Sequence, residues 1–186
     1  MLAGPSGVGK GTVGRALRGR EPNLDWSVSA TSRPARDGEV DGVDYHFVTR
    51  EDFEQVRDAG WFLEWFEVYG QLKGTPRAPV ETALAAGRDV LLEIDVQGAL
   101  AVKEQFPDAV LVFLAATSPE EQEARLRGRA TYDPEQLARR LETAAAEEAL
   151  VDRFDAVVVN DDVDRAVGEV AAILAARRAG PAPTTP

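Results

Sequence analysis

The sequence predicts an α/β fold. The expected core is a parallel sheet flanked by helices and entered through a phosphate-binding loop (a P-loop), with a mixed α+β insert and a helical insert. Three observations predict it. Residues 4–12 read Gly4-Pro5-Ser6-Gly7-Val8-Gly9-Lys10-Gly11-Thr12 and fill the pattern G-x-x-x-x-G-K just before an amphipathic run. Apolar strand-like runs then alternate with helical runs, which implies parallel strands joined by right-handed crossovers. Two stretches break the alternation. Residues from about Ser29 to Ala86 read as an antiparallel insert, and residues 119–142 carry two helix starts around an Arg-rich loop with no strand.

The elements follow in order. Only Met1, Leu2 and Ala3 precede Gly4, so the first strand is either truncated or unusually short. Val13, Ala16 and Leu17 repeat at helical spacing until Gly19. Trp26 to Ser29 is a short extended piece, residues 30–45 look like loop, and Tyr45 to Val48 reads as a strand. Thr49 is placed to cap a helix, with Asp52 at the reciprocal position and Gly60 closing it. Trp61 to Tyr69 has the alternation of one or two strands with aromatic faces. Pro79 to Ala86 is a short helix closed by Gly87. Asp89 to Asp95, DVLLEID, is a buried-strand pattern ending in acids. Gly98 to Phe106 is helix and Ala109 to Ala115 is strand. Ser118-Pro119-Glu120-Glu121 and Asp133-Pro134-Glu135-Gln136 both carry a cap residue followed by proline. Ala156 to Val159 is a strand and Val163 to Ala176 a closing helix.

Composition sets outer limits. A chain of 186 residues with 44% hydrophobic content supports about one domain with inserts. The 21 basic and 32 acidic residues leave a net charge of −11, spread along the chain. Such a surface repels nucleic acid and anionic membranes, so neither is expected as a partner. With no cysteine, disulfides, thiolate metal sites and a cysteine nucleophile are excluded. No stretch approaches the ~20 apolar residues of a membrane span, and the N-terminus lacks the pattern of a signal peptide, so a cytoplasmic location is expected. The closing Gly180-Pro181-Ala182-Pro183-Thr184-Thr185-Pro186 reads as a disordered tail. No feature points to an oligomeric state.

The chemistry sits in a few clusters. Glycines in the 4–12 loop let the backbone curl so that N–H groups converge, the following helix adds its positive end, and Lys10 supplies a full charge. The strict pattern wants Ser or Thr after the lysine to hold Mg²⁺; here Gly11 stands there and Thr12 follows. Arg33 and Arg36 with Tyr45 suit a second phosphate, since Arg gives planar paired donors and Tyr a neutral one. The same stretch equally fits a solvated loop with incidental charge. Glu93 and Asp95 end the predicted central strand, the end at which ligands sit in parallel α/β sheets. Acids there orient Mg²⁺ through water or touch an acceptor nucleotide. His46, the single histidine, is expected to be structural.

The segment WSVSATSRPARDGEVDGVDYHF and the loop GPSGVGKGT resemble the nucleotide-binding stretches of guanylate kinases. FLEW at 62–65, GTP at 74–76, LLEIDVQGA at 91–99, RLRGR at 125–129, ARRL at 138–141 and VVNDD at 158–162 extend the resemblance from Leu2 to about Ala176. The family also uses the Gly-Lys-Gly-Thr form of the loop. The resemblance implies transfer of the γ-phosphate of ATP to GMP, and to dGMP as well, with Mg²⁺. It implies a core (1–28, 87–118 and 143–178), a GMP-binding insert (29–86), a lid (119–142) and a tail (179–186). By similarity the ATP site is Gly4, Pro5, Ser6, Gly7, Val8, Gly9, Lys10, Gly11 and Thr12, with Asn160 near adenine. Arg33, Arg36 and Tyr45 would hold the GMP phosphate, while Ser29, Glu64 and Thr75 would meet guanine. A carboxylate at Glu64 suits the ring N–H and exocyclic amine of guanine, a donor pair that adenine lacks. Asp95 joins the GMP set and Glu93 meets the metal, through water. Lys10, Arg33 and the lid arginines Arg125, Arg129 and Arg140 would carry catalysis by positioning and charge.

Two departures stand out. Family members often carry two tyrosines before the Gly of Gly74-Thr75, the second touching the GMP phosphate; this chain has Leu72-Lys73. Lys73 then either replaces the hydroxyl with a charge or points to solvent. The lid pattern Gly-Arg-Gly-Thr-Glu is here Gly128-Arg129-Ala130-Thr131-Tyr132, and Ala130 is less permissive than glycine. The alternative function is a guanylate-kinase-like binding module without activity. A related kinase with another acceptor is disfavoured by Glu64 and Thr75.

Overall fold

The structure, a computed structural model, describes residues 1–129 and 133–180, without the side chain of Arg129. In chain order the elements are β1 (Leu2–Ala3), α1 (Lys10–Arg20), β2 (Leu24–Trp26), β3 (Ala30–Thr31), β4 (His46–Phe47), α2 (Arg50–Asp58), β5 (Phe62–Val68), β6 (Gln71–Pro76) and α3 (Arg77–Ala85). They continue with β7 (Asp89–Leu91), α4 (Val96–Gln105), β8 (Val112–Ala115), α5 (Pro119–Arg129), α6 (Pro134–Glu148), β9 (Ala156–Val159) and α7 (Val163–Ala179). The fold is mixed α/β with parallel strands. It divides into two compact units, one of Met1 with Asn23–Ala109 and one of Leu2–Pro22 with Val110–Pro186.

The second unit is built on a parallel sheet of order β1-β8-β9. Its central strand β8 is buried on both faces, as parallel strands between helices are, with Val112, Phe113 and Leu114 nearly inaccessible. Leu2 and Ala3 pair with Val112 and Phe113, so the first strand is two residues long where it meets the sheet. Helix α1 packs on α7, and Val13 and Leu17 of α1 are buried, as are Ala166, Val167, Val170 and Ala171 of α7. Phe113 meets Phe154 edge to face at 5.1 Å between ring centres.

The first unit holds a parallel pair, β2 with β7, and a four-stranded mixed sheet of order β4-β3-β6-β5. In that sheet β3 runs parallel to β4, while β6 is antiparallel to both β3 and β5. A small core of Ala30, Phe53, Phe62 and Leu72, with Val48 and Val56 against it, covers one side. Phe53 and Phe62 stack at 4.4 Å. Thr49 caps α2 as its spacing predicts: its hydroxyl accepts from the Asp52 amide at 3.1 Å and donates to the Asp52 carboxylate at 2.8 Å.

Several boundaries move from those expected: β2 covers Leu24–Trp26 rather than Trp26–Ser29, β3 falls within the expected loop, β6 lies beyond the strands expected over 61–69, and α3 and α4 begin at Arg77 and Val96. Helix α1 passes through Gly19 to Arg20, because a lone glycine weakens a packed helix without ending it. Strand β7 stops at Leu91, where its paired partner β2 stops at Trp26, so Glu93 and Asp95 lie beyond the strand and Asp95 is the N-cap of α4. Strand β8 begins at Val112 rather than Ala109, since residues 106–109 turn back on themselves and the Leu111 amide donates to the Asp155 carboxylate. Helix α7 continues to Ala179, so the predicted tail starts in helix; residues 181–186 lie outside the described residues.

Candidate active site

In the second unit the 4–12 loop joins β1 to α1. Gly4, Gly7 and Gly9 have φ of 149°, 91° and 94°, a region that favours glycine. A Cβ on Gly4 would lie 2.2 Å from the Leu114 carbonyl oxygen of β8, so the loop approaches the sheet closer than any side chain allows. Gly9 is the N-cap of α1 and places no side chain over the helix end, leaving the first amides available to an anion. The Lys10 ammonium donates to the carbonyls of Gly4 and, at 3.2 Å, of Pro5.

Three side chains from outside the loop hold its backbone. Asn160, buried at the end of β9, donates to the Val8 carbonyl at 2.8 Å. Arg125 on α5 donates to the same carbonyl at 3.3 Å, to the Asn160 carbonyl at 3.0 Å and to Glu121 at 2.5 Å. Gln122, also buried on α5, donates to the Ser6 carbonyl at 2.8 Å. Asn160 and Arg125 are thus among the residues expected at a nucleotide site, and both engage the loop itself. Gln122 escaped the sequence reading, since its partner is 116 residues away and nothing in its neighbourhood marks it. Arg140 is half-buried on α6. The side chain of Arg129 and the departure at Ala130, Thr131 and Tyr132 lie outside the described residues.

In the first unit a second set of expected residues gathers on and around the mixed sheet. Glu64 of β5 pairs directly with Thr75 of β6, and the Thr75 hydroxyl donates to its carboxylate at 2.5 Å. Burial pushes the Glu64 carboxyl up to about 7, with the Asp95 charge adding to the rise while Thr75 and Lys73 oppose it. A Cβ on Gly98 of α4 would come within 3.1 Å of Glu64, so glycine there makes room for the carboxylate. Ser29 is buried, and its carbonyl accepts from the His46 amide at 2.9 Å. His46 itself is exposed, in keeping with a structural place in β4.

Arg33 is buried although charged. Its fork is held by Glu39 at 2.6 and 2.7 Å, and its guanidinium lies 5.0 Å from the Tyr45 ring centre and 5.5 Å from that of Phe47. The Arg36 amide also donates to Glu39, at 2.8 Å. The Arg33 hydrogen bond holds the Glu39 carboxyl down to about 2. The Arg33–Glu39 ion pair is thus largely buried, while Asp37, Gly38 and residues 40–43 of the same stretch are exposed. Glu39 is a member that sequence reasoning missed, although its place three residues after Arg36 was visible. Asp95 meets Lys73 at 3.1 Å, so Lys73 turns to a carboxylate rather than to solvent. Glu93 is half-buried just beyond β7.

Among the described residues no group of three or more His, Cys, Asp or Glu is placed to hold a metal ion, and no helix is long and apolar enough to cross a membrane.

With this geometry in view, comparisons with known proteins point one way. The family profile described as Guanylate kinase matches residues 1–177. The chain is 53% identical over 176 residues to a guanylate kinase of Nocardia farcinica, covering 94% of this chain and 91% of that one. It is 51% identical over 181 residues to a guanylate kinase of Symbiobacterium thermophilum, covering 96% and 85%. Among solved structures, the crystal structure of guanylate kinase from Anaplasma phagocytophilum superposes with a TM-score of 0.78 at 35% identity, covering 98% of this chain and 85% of that one.

Proposed function

The chain belongs to the guanylate kinase family, and from that premise we propose how its own residues divide the transfer of the γ-phosphate of ATP to GMP. The activity is that of a nucleoside monophosphate kinase, an ATP:GMP phosphotransferase; a binding module without activity is not favoured. ATP and GMP are accordingly its substrates.

The 4–12 loop takes the ATP phosphates. Its converging amides and the open end of α1 meet the inner phosphates, and Lys10 exchanges the Gly4 and Pro5 carbonyls for the outer ones. Asn160, Arg125 and Gln122 keep the loop in shape through the Val8 and Ser6 carbonyls. Arg129 and Arg140 neutralise charge on the migrating group from the 119–142 lid.

The observation that carries the acceptor assignment is the Glu64–Thr75 pair: a half-buried carboxylate, oriented by a hydroxyl at 2.5 Å and given room by Gly98. Ionised, it accepts from the two adjacent N–H donors on the guanine edge. Ser29 and Asp95 complete the base site. Arg33, Arg36 and Tyr45 hold the GMP phosphate, with Glu39 fixing Arg33 in advance. No residue is assigned to the ribose 2′-hydroxyl, so dGMP is expected to serve as well.

Mg²⁺ is the metal we assign. The lack of a clustered carboxylate cage among the described residues fits an ion that arrives on ATP, keeps most of its waters and borrows at most one protein carboxylate. Glu93 is that carboxylate, acting through water. Bound there, the ion would draw charge from the phosphate oxygens. With nucleotides as substrates, we assign the chain to the cytoplasm.

A coupled assay of ADP formation with GMP, dGMP, AMP and UMP tests the reading. GMP and dGMP are expected to turn over and the others not. Turnover with GMP no better than with AMP or UMP overturns it.

A further inference from the structure

Lys73 is the departure whose surroundings say most. It lies on β6 two residues before Thr75, so both side chains leave the same face of the strand, about 6.6 Å apart along it. The ladder places Phe47 of β4, Thr31 of β3, Lys73 of β6 and Phe66 of β5 in one row across the sheet. Beyond one end of that row stand the Arg33 guanidinium and the Tyr45 ring, 5.0 Å apart. Beside the other stands the Glu64–Thr75 pair. The Lys73 ammonium therefore lies between the groups that meet an acceptor's phosphate and those that meet its base. Its electrostatic neighbours, Asp95, Tyr45 and Arg33, span both sets.

Its partner is unusual for its position. Asp95 is the N-cap of α4, with extended dihedrals, yet its carboxylate makes no side-chain cap bond. Thr49, Asp133 and Asp162 all cap their helices with their side chains. Asp95 instead reaches Lys73 at 3.1 Å, with about a third of Lys73 and a quarter of Asp95 exposed. Water still reaches this pair, so it can exchange, and a phosphate offers an ammonium more charge and more acceptor atoms than one carboxylate does.

We propose that Lys73 is a further ligand for the acceptor's phosphate, parked on Asp95 until a nucleotide binds and then handed to it, which frees the Asp95 carboxylate for the nucleotide's own donors. This rests on the acceptor reading above. It makes the chain's discrimination between a nucleoside monophosphate and a nucleoside depend on an ammonium, at a place where relatives often have a phenol.

The test is calorimetric binding of GMP and of guanosine to the full chain and to Lys73→Met. GMP is expected to bind Lys73→Met about 10- to 100-fold more weakly, the size of one charged hydrogen bond, while guanosine binds within about twofold or more tightly. Lys73→Arg, which keeps the charge, is expected to retain most of the GMP preference and serves if the methionine variant folds poorly. Equal weakening of GMP and guanosine would mean that Lys73 acts only through Asp95, and unchanged GMP binding that it does not reach the phosphate; either result overturns the proposal. The guanine reading fails separately, if the unaltered chain binds GMP no better than AMP. The Lys73 comparison then stands on AMP against adenosine.

Discussion

Glu64 concentrates the chemistry of the acceptor site in one proton. Its carboxyl sits near 7 because burial penalises the charge, while guanine needs the charged form, since a protonated carboxyl loses one of its two acceptor oxygens. Binding should therefore tighten as pH rises from 6 to 8 and level off above. GMP carries a phosphate that titrates near 6, so guanosine isolates the effect. At pH 7 its binding should release a fraction of a proton, seen as a buffer-dependent heat in calorimetry; a heat independent of buffer would remove Glu64 from the base site. Glu64→Gln should abolish the pH dependence and lower kcat/KM for GMP by about 100-fold or more, two charged hydrogen bonds being lost. The contribution to stability has the opposite sense. A folded value raised above the unfolded one of about 4.3 means that Glu64 erodes stability as pH climbs from there through 7. Glu39 behaves in reverse. Held down to about 2 by Arg33, it stabilises the fold above about 4.3 and loses that contribution as pH falls to about 2. Glu39→Gln should cost about 2–3 kcal/mol in urea unfolding at pH 7, with the gap to the unaltered chain closing between pH 4 and pH 2.

Among the elements, the strand–loop–helix unit β1–α1 is the most constrained. The backbone of Gly4 turns against β8 with no space for a Cβ, so Gly4→Ala requires the sheet itself to move and should cost more than about 3 kcal/mol or prevent folding. Gly19 faces the contrary situation in the same unit: it is helical and exposed, and an added methyl group would meet nothing within 4 Å. Gly19→Ala should stabilise by about 0.5–1 kcal/mol, and thermal melts of the two variants check both signs. The contrast marks what local sequence encodes. The caps at Thr49 and Asp133 and the apolar period of α1 were legible because the partners lie within four residues. Gln122 and the true bond of Asn160 were not, because each meets the loop across more than a hundred residues of chain. Strand β7 read too long because an apolar run records burial, which continues through Leu92 and Ile94, and not pairing, which stops with its neighbour.

Across the whole molecule, a net charge of −11 opposes the approach of any polyanion, so affinity for two nucleotides must come from local cations placed by the fold. The α/β class and the alternation of elements were visible in the sequence, as was the break in that alternation over the insert. The grouping of residues into two compact units was not, since it depends on which distant segments close on one another. That grouping sets the last prediction. The residues assigned to ATP phosphates lie in one unit and those assigned to guanine in the other, so each nucleotide should stabilise the chain through its own set. At a free concentration 100-fold above its Kd, either ligand should add about 2.7 kcal/mol, or roughly 5–10 °C in Tm for a chain of this size. Lys10→Ala should erase the ATP shift and leave the GMP shift, with turnover abolished. Glu64→Gln should erase the GMP shift and leave the ATP shift. The crossed outcome is the informative one, because a variant that merely destabilised the chain would lower the Tm without ligand and leave both shifts in place. Loss of both shifts in either variant would mean that the two nucleotides share determinants, and the division of labour drawn here would have to be redrawn.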